Sequence, residues 1–248
     1  VNRMRANIRE LAVNRRNRIK NDETVPEDFL TLLLTAETES GKTLSDEQVE
    51  DQILTFIGAG HETTSRALTW LSYLLSQDTK SRQRVENEID ALDMTLPAKE
   101  WIDHMPFTMA CFNEGMRLYP PAPFISRMAT EADRFKEIDI PKGTTAFVNL
   151  WALHRHHKHW ERPDSFDPDR FMGEQANTIG RFNFLPFGVG HRICIGQRFA
   201  RQEAAVMMAV LFKKIRLHWV EGENHPWPLM LITTRPQEPL KLRVEYRS

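Results

Sequence analysis

Apolar residues recur at helical spacing through Val49, Ile53, Leu54, Phe56, Ile57, Leu68, Leu71, Leu74 and Leu75, which predicts one long amphipathic helix. Ser45 and Gln48 stand ahead of it at capping-box spacing. Asp46 and Glu47 put negative charge in its first turn, where the helix dipole favours it. A helix of about 30 residues is about 45 Å long, enough to cross a domain. Its middle, Gly58-Ala59-Gly60, is poor helix material, because each glycine costs up to about 1 kcal/mol against alanine. A weak point there invites a functional explanation.

Further helical patterns lie around Phe29–Leu34 and over Thr79–Leu92, Pro106–Leu118 and Gln197–Phe212. Residues 1 to about 20 are basic and helix-like, with Ile8, Leu11 and Ile19 scattered among arginines, a pattern that suits a solvated face. Short strand signals fall at Ile138–Ile140, Thr144–Val148, Leu229–Thr233 and Leu240–Val244. No repeat, low-complexity tract or linker interrupts the chain. The expected class is mainly α with small β-sheets, in one unit.

The bulk numbers narrow the function. The 248 residues carry a formal net charge of −1, 41% hydrophobic and 27% charged residues, ordinary globular composition. A nucleic-acid binder would need a basic excess for phosphate contacts. Two cysteines, Cys111 and Cys194, make no disulfide framework and fit a reducing compartment. No run of about 18 apolar residues exists, so no membrane span is expected in this chain.

Chemistry concentrates in the run Phe187-Gly188-Val189-Gly190-His191-Arg192-Ile193-Cys194-Ile195-Gly196, which leads directly into a helical pattern. Negative charge on a sulfur at a helix N-terminus is favoured by the dipole and by free backbone N–H groups. Gly188, Gly190 and Gly196 let the backbone approach a flat ligand with no Cβ in the way. Arg192 offers a fixed cation for an anionic group on that ligand. A haem, with iron for sulfur and propionates for arginine, meets all three demands. A buried, inert cysteine is the bland alternative, but it leaves the aromatic, the arginine and the glycine spacing unexplained.

The loop resembles the cysteine loop of the cytochrome P450 family, Phe-x-x-Gly-x-Arg-x-Cys-x-Gly, at every fixed position. The resemblance implies haem b as cofactor, with Cys194 as the axial ligand of its iron and with Phe187, Gly188, Gly190, Arg192 and Gly196 around it. It extends over essentially the whole chain in the family order. Ala59-Gly60-His61-Glu62-Thr63 resembles the segment that lies over the haem opposite the sulfur. Small residues at Ala59 and Gly60 leave room against the backbone, and Thr63 stands four residues after the Ala59 carbonyl, a spacing that locally opens a helix. A hydroxyl beside a carboxylate can relay protons, so Glu62 and Thr63 are the catalytic candidates. His61 need not face iron.

Glu114 and Arg117, three apart on a helix, share one face. The segment Phe166-Asp167-Pro168-Asp169-Arg170-Phe171 resembles the one that returns a second arginine, Arg170, to that glutamate. The implied triad is architectural, because a buried carboxylate between guanidinium groups is tolerable only when paired. Prolines in Pro120-Pro121-Ala122-Pro123 fix an extended path; the resemblance makes Ala122–Ile125 pocket candidates and Arg127 a propionate ligand, against the plain reading of an exposed charge. His154, His156, His157 and His159 suggest zinc, but no cysteine or carboxylate pattern completes a closed site. Arg181, Arg198 and Arg201 form either a basic docking face for an electron donor or scattered solvated charges.

The implied protein is a haem-dependent monooxygenase. It inserts one atom of dioxygen into a small apolar organic substrate, with electrons from NAD(P)H through a ferredoxin, a flavodoxin or a flavoprotein reductase. A relative that uses peroxide or rearranges an already oxidised substrate is one alternative, against which the Glu62–Thr63 pair argues. A non-catalytic haem or gas-binding protein is another, which NAD(P)H consumption with a reductase would discriminate. The resemblance begins mid-protein. Residues 1–248 therefore read as the C-terminal, haem-binding part of a single catalytic domain whose N-terminal part is absent, and the chain alone is expected to be inactive. Localisation stays open, cytoplasmic if the missing N-terminus carries no membrane anchor.

Overall fold

The computed structural model describes Asn2–Glu37 and Gly41–Arg247; Val1, residues 38–40 and Ser248, which the patterns above touch at the first helix and after Phe29–Leu34, lie outside the described residues. Eight α-helices occur among them: α1 (Asn2–Lys20), α2 (Phe29–Thr35), α3 (Asp46–Gln77), α4 (Thr79–Ala91), α5 (Pro106–Leu118), α6 (Leu150–Leu153), α7 (Gly173–Thr178) and α8 (Gln197–Lys214). Tight 3₁₀ turns form at Ala98–His104, Pro168–Phe171 and Gly190–Arg192.

The eight strands are β1 (Phe124–Met128), β2 (Asp133–Phe135), β3 (Ile138–Ile140), β4 (Thr145–Asn149), β5 (Ile215–Trp219), β6 (Pro228–Met230), β7 (Thr234–Pro236) and β8 (Leu242–Tyr246). They pair antiparallel as β1–β4, β2–β3, β5–β8 and β6–β7. The class is therefore mainly helical with small sheets.

The chain divides into two compact units, Val1–His61 and Glu62–Ser248, with the division inside α3. In the first unit, Ala12, Leu34 and Val49 are buried together, with Ile19, Leu30, Leu33, Leu44 and Ile53 packed against them. The capping box at the start of α3 forms in both directions: Ser45 N–H donates to Gln48 Oε1 at 2.9 Å, and Gln48 N–H to Ser45 Oγ at 3.2 Å. Arginines of α1 meet carboxylates across this unit, Arg9 on Glu50 at 2.5 Å and Arg15 on Asp28 at 2.6 Å. The Arg15 guanidinium holds the Asp28 carboxyl well below the usual carboxylate range.

α3 runs unbroken through Gly58 and Gly60, so the two glycines weaken the helix without ending it. A Cβ built on either meets no atom within 4 Å among the described residues. Packing therefore does not account for them.

In the second unit the main core joins Leu71 and Leu75 of α3, Val85 and Ile89 of α4, Cys111, Phe112 and Met116 of α5, and Ala205, Met208 and Phe212 of α8. Nearly all of α5, residues 107–112 and 114–118, is buried. A carboxylate from a neighbouring helix completes α5: Glu88 accepts from the Phe107 and Thr108 N–H groups at 2.9 and 2.7 Å and from the Thr108 hydroxyl at 2.7 Å. Met105, at the N-cap, offers no side-chain acceptor, so Glu88 supplies what the local sequence lacks.

One predicted strand is replaced by a turn. Leu229–Thr233 is not a single strand: it reverses at residues 231–233, and β6 pairs with β7 in the register Met230↔Thr234 and Pro228↔Pro236. An apolar run alone does not reveal a turn. Of the other predicted strands, Ile138–Ile140 forms as β3 with its predicted limits, β4 shifts by one residue and β8 by two, while β1, β2, β5 and β7 lie outside every predicted span.

Candidate functional site

The cysteine loop is built by backbone hydrogen bonds. Gly188 N–H donates to Leu185 O at 3.0 Å, Ile193 N–H to Gly190 O at 3.0 Å, and Cys194 N–H closes back on Phe187 O at 2.8 Å. Gly188 and Gly190 take φ of 72° and 74°, the left-handed region that glycine enters without the steric cost of a Cβ. The Phe187 ring packs against the main core and anchors the loop from beneath. Gly196 is the N-cap of α8, so Cys194 stands two residues ahead of that cap.

Cys194 is a free thiol and is exposed, whereas Cys111 is buried; burial pushes the Cys111 thiol well up, as suits an inert core residue. Ile193 and Ile195, on either side of Cys194, are 50% and 84% exposed. An open sulfur framed by apolar surface and glycine backbone fits a flat, largely apolar macrocycle with an iron at its centre. Arg192 is exposed beside it and can reach an anionic substituent. Arg127, on β1, is also exposed, and its Nη1 donates to its neighbour's carbonyl, Ser126 O, at 2.7 Å.

Glu114 and Arg117 form a two-point pair at 2.7 and 2.8 Å, both side chains fully buried. Arg117 also donates to His154 O at 2.8 Å, Pro163 O at 2.6 Å and Ser165 O at 3.0 Å. Asp167 N–H donates to Glu114 Oε1 at 2.8 Å. Arg170 takes a lesser part: its Nε lies 3.5 Å from Glu114 Oε1, and its Nη2 donates to Arg162 O at 3.0 Å. Burial pushes the Glu114 carboxyl up, and the Arg117 guanidinium opposes that rise.

His154 connects this network to the cysteine loop. Its carbonyl receives Arg117, and its ring Nε2 accepts from Leu185 N–H at 3.0 Å. Two hydrogen bonds thus lead from the Glu114–Arg117 pair to Leu185, and a third, from Gly188 N–H to Leu185 O, reaches the loop. The zinc reading finds no support here: His154 is turned inward, and no group of three or more potential metal ligands occurs among the described residues.

Glu62 and Thr63 are both half-buried. Glu62 Oε1 accepts from the Thr233 hydroxyl at 2.8 Å and from Arg66 Nη2 at 3.4 Å. These contacts, the Thr233 bond first, hold its carboxyl below the ordinary range. His61 is exposed. Of the three arginines read as a basic face, Arg181 and Arg198 are exposed, but Arg201 turns inward onto Asn113 Oδ1 at 2.9 Å. Sequence reasoning missed Thr233 and the linking role of His154. Neither lies in a motif that names a contact about 30 or more residues away, so no local signal existed.

The cytochrome P450 family model matches residues 1–244. Human cytochrome P450 4Z1 is 37% identical over 207 residues, which cover 82% of this chain and 41% of that protein. Pentalenene oxygenase of Streptomyces avermitilis is 32% identical over 230 residues, 92% of this chain and 51% of that one. The crystal structure of the cytochrome P450DA heme domain superposes with a TM-score of 0.89 at 30% identity, over 98% of this chain and 53% of its own. The chain belongs to the cytochrome P450 family. It spans about half the length of the relatives it matches.

Proposed function

We propose that this chain carries the haem-binding and proton-handling part of a monooxygenase, an oxidoreductase acting on paired donors with incorporation of molecular oxygen. Its substrate is a small apolar organic molecule, and its electrons come from NAD(P)H through a ferredoxin, a flavodoxin or a flavoprotein reductase. In this reading residues 1–248 are the C-terminal part of one longer catalytic domain, consistent with their coverage of about half of each relative.

The observation that carries the reading is Cys194 itself, a free thiol facing outward from a loop braced by the Phe187 carbonyl and the His154 ring. When bound, haem b supplies the iron at which dioxygen is reduced. Cys194 would hold that iron through its sulfur, and a thiolate ligand there would favour O–O cleavage, as is general for haem-thiolate proteins. Phe187, Gly188, Gly190 and Gly196 would shape the loop that holds the haem, and Arg192 and Arg127 would bind its propionates. Ala59 and Gly60 keep bulky side chains off the surface of α3. Glu62 gathers protons from solvent, and Thr63, whose hydroxyl both accepts and donates, passes them on. Glu114, Arg117 and Arg170 are structural.

The test is the carbon monoxide difference spectrum of the full-length, haem-reconstituted protein. Wild type shows the red-shifted band of a thiolate-ligated haem, and Cys194→Ala loses it. An unchanged band in that variant removes Cys194 as the ligand.

A further inference from the structure

We propose that Thr233 is a positioning residue for Glu62, holding its carboxylate on the β6–β7 hairpin in the one orientation from which it serves Thr63. The inference rests on the proton-handling reading of Glu62 and Thr63 given above.

The hairpin is a rigid support. Thr233 is 6% exposed and Thr234 fully buried. Thr234 is held at three points: its hydroxyl donates to Pro120 O at 2.6 Å, its N–H donates to Pro121 O at 2.9 Å, and its carbonyl accepts from Trp70 Nε1 at 3.1 Å. Trp70 is itself completely buried, stacked on Tyr119 at 3.8 Å between centroids. Thr233, one peptide bond away, therefore has little freedom, and its hydroxyl reaches Glu62 Oε1 at 2.8 Å. α3 thus grips the hairpin twice, through Glu62 and through Trp70.

A glutamate on a helix surface has three side-chain torsions to order, and fixing them costs rotamer freedom. The Glu62 side chain is 46% exposed, so water and salt weaken what Arg66 can do at 3.4 Å. The shorter, better shielded bond is the one to Thr233. Both bonds end on Oε1, so Oε2 remains the oxygen that can exchange protons with solvent. A hydroxyl that donates to a carboxylate favours its ionised form, and Thr233 is the largest of the influences lowering the Glu62 carboxyl, ahead of Arg66 on α3 and Arg235 on β7. Ionised Glu62 is ready to accept the next proton.

The test uses full-length, haem-loaded protein in its reduced, carbon monoxide-bound, diamagnetic form. Glutamate carrying ¹³C at the carboxyl carbon is titrated by NMR, and the Glu62 signal is assigned by its loss in Glu62→Gln. Thr233→Val, which keeps the side-chain shape, is expected to move the Glu62 midpoint up, and Thr233→Ser to restore it. Product formed per NAD(P)H falls in Thr233→Val and recovers in Thr233→Ser. A Glu62 midpoint that is the same in Thr233→Val as in wild type overturns the proposal. If the midpoint moves while product per NAD(P)H does not, Glu62→Gln separates the two ideas. Should Glu62→Gln waste electrons while Thr233→Val does not, the positioning role is wrong. If Glu62→Gln also keeps wild-type coupling, the proton-handling reading fails and the hold of Thr233 on Glu62 stands.

Discussion

At the scale of single residues, His154 shows how burial turns a titratable group into a structural one. Its ring is fully buried, and desolvation, with Arg117 and Arg155 nearby, lowers its pKa to about 3. The neutral ring is the form that accepts from Leu185 N–H. In the unfolded chain the same ring titrates near pH 6.5. Between these values the unfolded state binds the extra proton, so stability is full above about pH 6.5 and falls as the pH drops toward about 3. The loss is at most about 1.4 kcal/mol per pH unit from this group. Urea melts at several pH values are expected to show a shallower acid slope in His154→Gln than in wild type, because glutamine keeps an acceptor and has no proton to gain.

Elements depend on neighbours for what their own sequence omits. α3 carries its own start signal, and Ser45 with Gln48 forms the expected box. α5 has none, and Glu88 of α4 takes the place of a local cap. Glu88→Ala leaves the Phe107 and Thr108 N–H groups without their acceptor, an expected cost of about 1–3 kcal/mol. Glu88→Gln, which retains one carbonyl oxygen, is expected to lose less, and chemical denaturation of both variants measures the difference. The sheets were the least legible elements for the same reason. β5 follows α8 with no breaker between Lys214 and Ile215, and the reversal between β6 and β7 is set by the bonds that hold Thr234, none of which is local.

On the scale of the whole molecule, the second unit is organised around the charged pair Glu114–Arg117. Arg117 gathers the carbonyls of His154, Pro163 and Ser165, and Glu114 gathers the Asp167 amide. Two stretches of irregular backbone, at His154 and over 163–167, are thereby tied to one helix. Glu114→Ala leaves the Arg117 charge buried without its counter-ion, an expected loss of about 3–5 kcal/mol. Arg170, 10% exposed and in contact with Glu114 through one atom pair at 3.5 Å, contributes less, so Arg170→Ala is expected to cost a small fraction of that. Thermal denaturation of the two variants with haem retention as a second readout ranks them.

The chain alone determined the helical class, the limits of α5, the cap of α3 and the cysteine loop. Each of these is written in residues a few positions apart: apolar spacing, Ser45 to Gln48, Phe187 to Gly196. Close spacing suffices because helices and tight loops are made of bonds between near neighbours. Only the tertiary structure decided that Arg201 turns inward to Asn113, that His154 joins Arg117 to the loop, and that Thr233 reaches Glu62 from 171 positions away. Those contacts come from packing separate elements around a common core, and a hydroxyl such as that of Thr233 carries no mark in the sequence of the carboxylate it will meet.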